Sequence, residues 1–305
     1  MQFDTICIIG PGLIGGSIGL GLKKRNMVKT VIGVCHRASS LEKALKMKAI
    51  DVGIPHINGT INDADIVILA TSVSQIVTSA KEAIQFMKGN AILTDVGSTK
   101  GYIVEQITQD IKDDITFVGA HPIAGSEKRG VEFASPDLFE GSLCIITPSR
   151  STGGEVKEAG QPGAITHRLP LNYRKALETI SCLWQLLGAN IVYLTPEQHD
   201  EVLSYVSHLP HLIASCLINT IKKEYLGYGG NGLKDTTRIA SGDPGLWVDI
   251  FGQNRKNIIQ SIDRFIAELT GFKNDLLNKD DAMLLERLKM AKLSRDSIFN
   301  NNPIK

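Results

Sequence analysis

Apolar and polar positions change rhythm along the chain. Residues 5–10 (TICIIG) form an unbroken apolar run, then a glycine-rich turn, and 13–24 repeat apolar positions at helical spacing. The alternation continues: 31–35 (VIGVC) predicts a second strand, 41–48 a helix, and 66–71 (IVILAT) a third strand behind Asn62-Asp63-Ala64-Asp65. A helix at 75–87, a strand at 91–95, a helix at 101–111 and a short strand at 116–119 follow. Strands apolar on both faces and separated by helices predict a mostly parallel sheet with right-handed crossovers. After a strand at 143–147 (LCIIT), residues 148–170 are rich in Gly, Ser and Pro, and a long exposed, mobile loop is expected there. A helix at 173–187 and a strand at 190–194 (NIVYL) close the α/β layer. From 195 onward no strand is predicted. Val202, Val206, Leu209, Ile213, Leu217 and Ile221 recur at helical spacing, and 248–277 and 281–293 also read as helices. The expected division is an α/β domain over 1–194 and an all-helical one over 195–305, the second small enough that a homodimer is expected to complete its core.

Composition narrows the function classes. With 43% hydrophobic and 21% charged residues the chain buries a core. Lys+Arg number 33 against 32 Asp+Glu, and no basic block is present to track nucleic acid. Apolar runs such as 66–70 are far shorter than the ~20 residues of a membrane span, so none is expected. The start, Met1-Gln2-Phe3-Asp4, runs directly into a strand without a signal-peptide pattern, and a cytoplasmic location is expected. Cys7, Cys35, Cys144, Cys182 and Cys216 are odd in number, lack C-x-x-C spacing and lie mostly in apolar runs, as buried free thiols do. Neither disulfides nor a metal site is expected.

Gly10-Pro11-Gly12-Leu13-Ile14-Gly15 is a G-x-G-x-x-G between a predicted strand and a predicted helix, the context that makes it a dinucleotide fingerprint. Gly10 permits the tight turn, Gly12 close approach of the pyrophosphate, and Gly15 tight helix packing, while Leu13 and Ile14 open the helix whose N–H groups face the phosphates. This makes the sheet domain Rossmann-like. Thr71, ending the third strand, joins the cofactor-binding candidates. The acid that holds a ribose 2′-hydroxyl in NAD binders is expected at the end of the second strand, but Cys35, His36 and Arg37 stand there, and no carboxylate precedes Glu42. Arg37 suits a 2′-phosphate, which favours NADP over NAD, unless it is simply a solvated loop arginine.

Four further segments carry unusual chemistry for connections: 95–100 (DVGSTK), 121–130 (HPIAGSEKRG), 207–211 (SHLPH) and 238–247 (RIASGDPGLW). His121 ahead of Pro122 reads either as a satisfied loop residue or as a catalytic one. His208 and His211 share a helix face at i and i+3, with Pro210 forcing a kink or a new start; no third metal ligand lies nearby. Arg238 is a candidate bidentate clamp for a carboxylate, or an ordinary salt-bridge partner of Asp235 or Asp243. Lys234, four residues earlier, is a second candidate cation.

Together with 10–17 (GPGLIGGS), these segments resemble the prephenate/arogenate dehydrogenase family of tyrosine biosynthesis, in order and approximate spacing, from Ile6 to about Phe251. The resemblance implies a Rossmann-like sheet domain followed by an all-helical dimerisation domain. It also implies oxidative decarboxylation, in which hydride leaves C4 of a cyclohexadiene for a nicotinamide while CO2 leaves C1, so that the ring becomes aromatic. By resemblance His121 hydrogen-bonds the C4 hydroxyl with an ordinary imidazole pKa, Ser98 stands beside it, His211 binds substrate, and Glu127 is a gating or supporting acid. Trp247 is expected to pack by the pocket, and the substrate to be a small dicarboxylate. Arg129 departs from the small residue common in relatives and leaves the choice between prephenate and arogenate open. A glycine loop starting at residue 10 and a helical region running almost to Lys305 lead us to expect a monofunctional enzyme. Two other readings remain: a β-hydroxyacid or imine-type dehydrogenase of the same plan, which would not carry 121–128 and 207–211, and a non-catalytic dinucleotide-binding redox sensor.

Overall fold

The computed structural model describes residues 2–125, 128–148 and 170–300. The chain divides into two compact units, Met1–Arg255 and Lys256–Lys305. In the first, strands β1 (Phe3–Ile9), β2 (Val28–Val34), β3 (Val52–Ile54), β4 (Ile66–Leu69), β5 (Ile92–Asp95), β6 (Thr116–Ile123), β7 (Leu143–Thr147) and β8 (Asn190–Tyr193) form one sheet. Its order is β3-β2-β1-β4-β5-β6-β7-β8, with β6 and β7 antiparallel and the other described pairs parallel. Helices α1 (Leu13–Lys24), α2 (Ala38–Lys46), α3 (Val73–Ile84), α4 (Gly101–Asp110) and α5 (Leu171–Leu186) provide the crossovers.

The period-2 geometry of a strand explains the continuous apolar runs. On β1, Ile6 and Ile8 join a core with Ile18 and Leu22 of α1 and Leu177 and Trp184 of α5, whereas Cys7 and Ile9 join another with Ile76 of α3 and Ile103 of α4. Strand β4 divides the same way, with Ile66 and Ile68 on one face and Val67 and Leu69 on the other.

Beyond β8 lie α6 (Pro196–Leu203), a π-helical turn over Ser204–His208, α7 (Leu209–Thr220), α8 (Asn231–Thr237) and α9 (Pro244–Gln253). Pro210 lacks the N–H that a continuous α-helix needs, and Leu209 N–H donates instead to the Ser204 carbonyl five residues back. Ile250 of α9 packs into the core that holds α3 and α4.

The second unit contains α11 (Asp281–Asn300) and nearly all of α10 (Arg255–Asn278), an αα-hairpin whose turn places Lys279 at φ +53°. Arg287 of α11 bonds Asp275 at 2.6 Å and Glu268 at 3.1 Å on α10. Ile266, Leu269, Leu276, Leu285, Leu288 and Leu293 are exposed.

Several expectations need correction. The strand expected to end at Gly119 runs to Ile123, because β7 pairs with its extension, and this moves His121 from a loop onto a strand opposite Ile145. The helix expected over 248–277 breaks at Asn254, whose side chain serves the site described below. The short strand β3 carries no alternation long enough to predict it. The helical run Pro196–Thr220 is long and apolar enough to span a membrane by length and composition, because its elements join end to end; it holds Asp200 and three histidines on its buried side. Of the five thiols, Cys7 and Cys144 are buried, Cys35 and Cys182 half-buried, and Cys216 exposed. Glu127 and nearly all of the loop expected at 148–170 lie outside the described residues.

Candidate active site

Among the described residues of the first unit, two cavities hold expected site residues. One, of ≈ 520 Å³, opens at the carboxyl ends of β1, β2 and β4, where the strand order reverses between β1 and β4. Gly10 adopts φ +94°, and a Cβ there would lie 2.6 Å from the Ala70 carbonyl oxygen. A Cβ on Gly15 would lie 2.4 Å from the Gly10 oxygen, so α1 starts this close to β1 only with glycine there. Gly12 faces open space, and no side chain caps the first turn at Leu13 and Ile14. Thr71 Oγ1 is buried without a hydrogen-bond partner among the described residues. An open glycine, an uncapped helix start and an orphaned hydroxyl fit the phosphates and ribose of a dinucleotide. Cys35, His36, Arg37 and Ser40 also line this cavity, as does Glu82 of α3.

The second cavity, of ≈ 530 Å³, is lined by His121 of β6, by Lys128 and Arg129, by Ser207 of the π-helical turn, and by Arg238, Asp243 and Trp247. The two adjoin: Lys128 and Arg129 line one and Gly130 and Val131 the other, and a Cβ on Gly125 would lie 3.7 Å from the Ile14 side chain. Among the described lining residues are the cations Lys128, Arg129 and Arg238 and the carboxylate Asp243. Asp243 bonds Arg129 at 2.7 Å and caps α9 by accepting the Leu246 N–H at 2.8 Å.

His121 is buried, and behind it lies a polar cluster drawn from distant parts of the chain. His121 Nδ1 is 2.8 Å from His199 Nε2, and His199 Nδ1 is 2.8 Å from Asp200 Oδ1. Asp200 accepts the Lys100 and Gly101 backbone N–H groups at 2.7 and 2.8 Å. Burial raises its carboxyl pKa, but the bond and charge of His199 first, and then these two backbone bonds, outweigh it and hold the carboxyl below the usual range. Asn254 Nδ2 donates to the Asp200 carbonyl at 2.7 Å and lies 3.1 Å from His208 Nδ1. The Lys100 ammonium pairs with Asp95, both fully buried, and Asp95 also accepts the Gly97 N–H at 2.9 Å. Burial first, then His199, Lys100 and His208, pushes the His121 pKa well below 6.5, so the ring is neutral at neutral pH. The ordinary imidazole value expected from the sequence is corrected on this ground.

The other candidates are placed unevenly. Arg238 and Trp247 line the second cavity. His211 stacks on Trp247 at 3.6 Å between ring centroids, with Nδ1 buried and unpartnered among the described residues, and does not line the cavity. Lys234 is exposed on α8, and half-buried Ser98 sits on the loop after β5; neither lines a cavity described here. His199, Asp200 and Asn254 are missing from the sequence-based candidates, because a histidine and an acid in the polar first turns of a helix give no signal until burial is known. Lys100 and Asp95 stand inside a recognised segment, but their ion pair is a feature of the fold.

Two family models match the chain. A model of the prephenate dehydrogenase nucleotide-binding domain matches residues 18–159, and one of the prephenate dehydrogenase dimerization domain matches 195–290. Prephenate dehydrogenase of Bacillus subtilis (strain 168) is 34% identical over 302 residues, 97% of this chain and 76% of the relative. The crystal structure of prephenate dehydrogenase from Aquifex aeolicus, in complex with hydroxyphenyl propionate and NAD+, superposes with a TM-score of 0.85 at 32% identity, covering 98% of this chain and 99% of that one. Synechocystis arogenate dehydrogenase follows at a TM-score of 0.77 and 25% identity, covering 96% and 99%. With matching domains at both ends, a relative of this identity over most of its length, and a glycine-loop cavity beside a histidine-bearing one, the chain belongs to the prephenate dehydrogenase family.

Proposed function

We propose that the chain oxidatively decarboxylates prephenate, or arogenate in its place, to give 4-hydroxyphenylpyruvate or tyrosine and CO2 in tyrosine biosynthesis. The observation that carries this reading is the neutral, buried His121 on the wall of a cation-rimmed cavity that adjoins the glycine-loop cavity. A nicotinamide dinucleotide, when bound at the glycine loop, supplies the hydride acceptor. Gly10, Gly12, Gly15 and the α1 N-terminus would hold its pyrophosphate, with Thr71 at the ribose. Arg238 grips a substrate carboxylate and orients the ring, with Lys128 and Arg129 adding positive charge for a dianion. His121 takes the C4 hydroxyl proton as the carbonyl develops and returns it to the phenolate once CO2 has left C1.

Finer points follow from the same residues. Cys35 in place of an acid, with Arg37 and Ser40 beside it at the uncapped start of α2, supports NADP as the preferred cofactor. Residues 1–194 act as the dinucleotide-binding domain and 195–305 as the substrate-binding and dimerisation domain, which the ranges of the two family models support. The exposed leucines of the α10–α11 hairpin support a homodimer. Free thiols suit a cytoplasmic location. The test is a spectrophotometric assay of the purified protein with prephenate and with arogenate, each with NAD and NADP. Reduced cofactor is expected with at least one substrate, faster with NADP, and no reduction in any of the four mixtures overturns the function.

A further inference from the structure

We propose that Asp200 and His199 form a positioning relay that holds His121 in the tautomer with its proton on Nδ1, leaving the Nε2 lone pair to receive the substrate proton. This rests on His121 being the proton acceptor. Two backbone N–H groups and an imidazole converge on Asp200, an arrangement that satisfies an ionised carboxylate. An ionised carboxylate only accepts, so the proton between it and His199 is on His199 Nδ1. A neutral His199 then has a bare Nε2, and the 2.8 Å bond between the rings requires His121 Nδ1 to donate. His121 is left with a bare Nε2, which has no partner among the described residues, on a ring that lines the substrate cavity. Reversing any one bond would turn a donor, not an acceptor, toward the substrate.

The same bonds work in the reaction. As His121 gains a proton, the Nδ1–H bond to His199 becomes charge-assisted, and Asp200 two rings away offsets the buried positive charge. The other ionisable groups around the pair are committed elsewhere. Lys100, on the loop after β5, is paired with Asp95 at the end of that strand. Cys144 on β7 is held as a neutral thiol by burial, and His208 on the π-helical turn is held neutral with a pKa near 4. His199, Lys100 and His208 all oppose charge on His121; within the relay the ionised Asp200, bonded to His199, is the group set to offset it.

The test combines spectroscopy with kinetics on the full-length protein. Two-bond 1H–15N spectra of the 15N-histidine-labelled enzyme, with His121 assigned by its loss in His121→Asn, are expected to show the Nδ1–H tautomer at neutral pH. His199→Leu removes the acceptor, and kcat should fall ~10- to 10²-fold, as for loss of an orienting partner, while substrate KM stays within about twofold. His199→Gln, whose Oε1 can accept the Nδ1 proton, should restore kcat to within a few-fold and keep the tautomer. An Nε2–H tautomer in the wild type overturns the relay even if the leucine variant fails to fold. So does equal impairment of the leucine and glutamine variants, or a leucine variant with unchanged kcat. Should His121→Asn retain turnover while the tautomer follows His199, the relay stands and the assignment of His121 as acceptor falls.

Discussion

The two cavities of the first unit are built from different materials. The glycine-loop cavity is made by backbone: a left-handed Gly10, an open Gly12, a packed Gly15 and the bare start of α1. The second cavity is made by side chains, among them His121 of β6, Lys128 and Arg129, Ser207 of the π-helical turn, and Arg238, Asp243 and Trp247, with His121 tied through His199 and Asp200 to Lys100 and Gly101. Backbone sites depend on local dihedrals and tolerate many side chains around them. Side-chain sites depend on desolvation and on tertiary closure, so their chemistry is tuned by burial.

The largest expected effect tests this division directly. His121→Asn should lower kcat by ~10²- to 10⁴-fold with little change in KM or in dinucleotide affinity, because a proton acceptor acts in the transition state. Arg238→Ala should mainly raise KM, since its charge pair with substrate exists before and during the reaction. A His121→Asn enzyme with near-normal kcat would break the comparison. Next comes acidity. His208 has a pKa of about 4 in the fold against an unfolded value near 6.5, so the unfolded chain binds more protons in that window. Stability is therefore complete above about pH 6.5 and lost as pH falls, by about 2 kcal/mol between pH 7 and pH 5, with His121 and His199 adding in the same direction. Urea unfolding at the two pH values measures it; equal stabilities would show that the cluster is not held neutral by burial. The smallest effect belongs to the backbone-built cavity. Arg37→Ala should weaken NADP about tenfold and NAD hardly at all, the loss expected for one exposed charged hydrogen bond. Equal weakening of both, seen by fluorescence titration, would remove Arg37 from the 2′-phosphate.

What was legible in the sequence follows the same line. Spacing alone locates Gly10, Gly12 and Gly15, and periodicity locates β1, β4 and α3, because each depends on neighbours within about twenty residues. His121, Arg238 and Trp247 were found through their motifs, and the structure puts all three at one cavity. The strand status of His121 was hidden because β6 is extended by pairing with β7, whose register no local pattern reveals. His199, Asp200 and Asn254 were invisible for a related reason: alone, each is an ordinary polar residue near a helix end. Asn254 even stands inside a stretch whose periodicity argues for an unbroken helix.

The bonds behind His121 join residues 78 and 100 positions apart in the chain. The sheet's own core closes longer loops still, joining β1 to α5, and the bonds behind His121 need that sheet in place before they can form. On the proposed function, turnover is thus a stricter witness of complete folding than helical content or dinucleotide binding: a refolding chain is expected to regain its sheet first and the bonds behind His121 last. An assay time course lagging behind the recovery of circular dichroism is the expected kinetic signature of a histidine held by residues from distant parts of the unit.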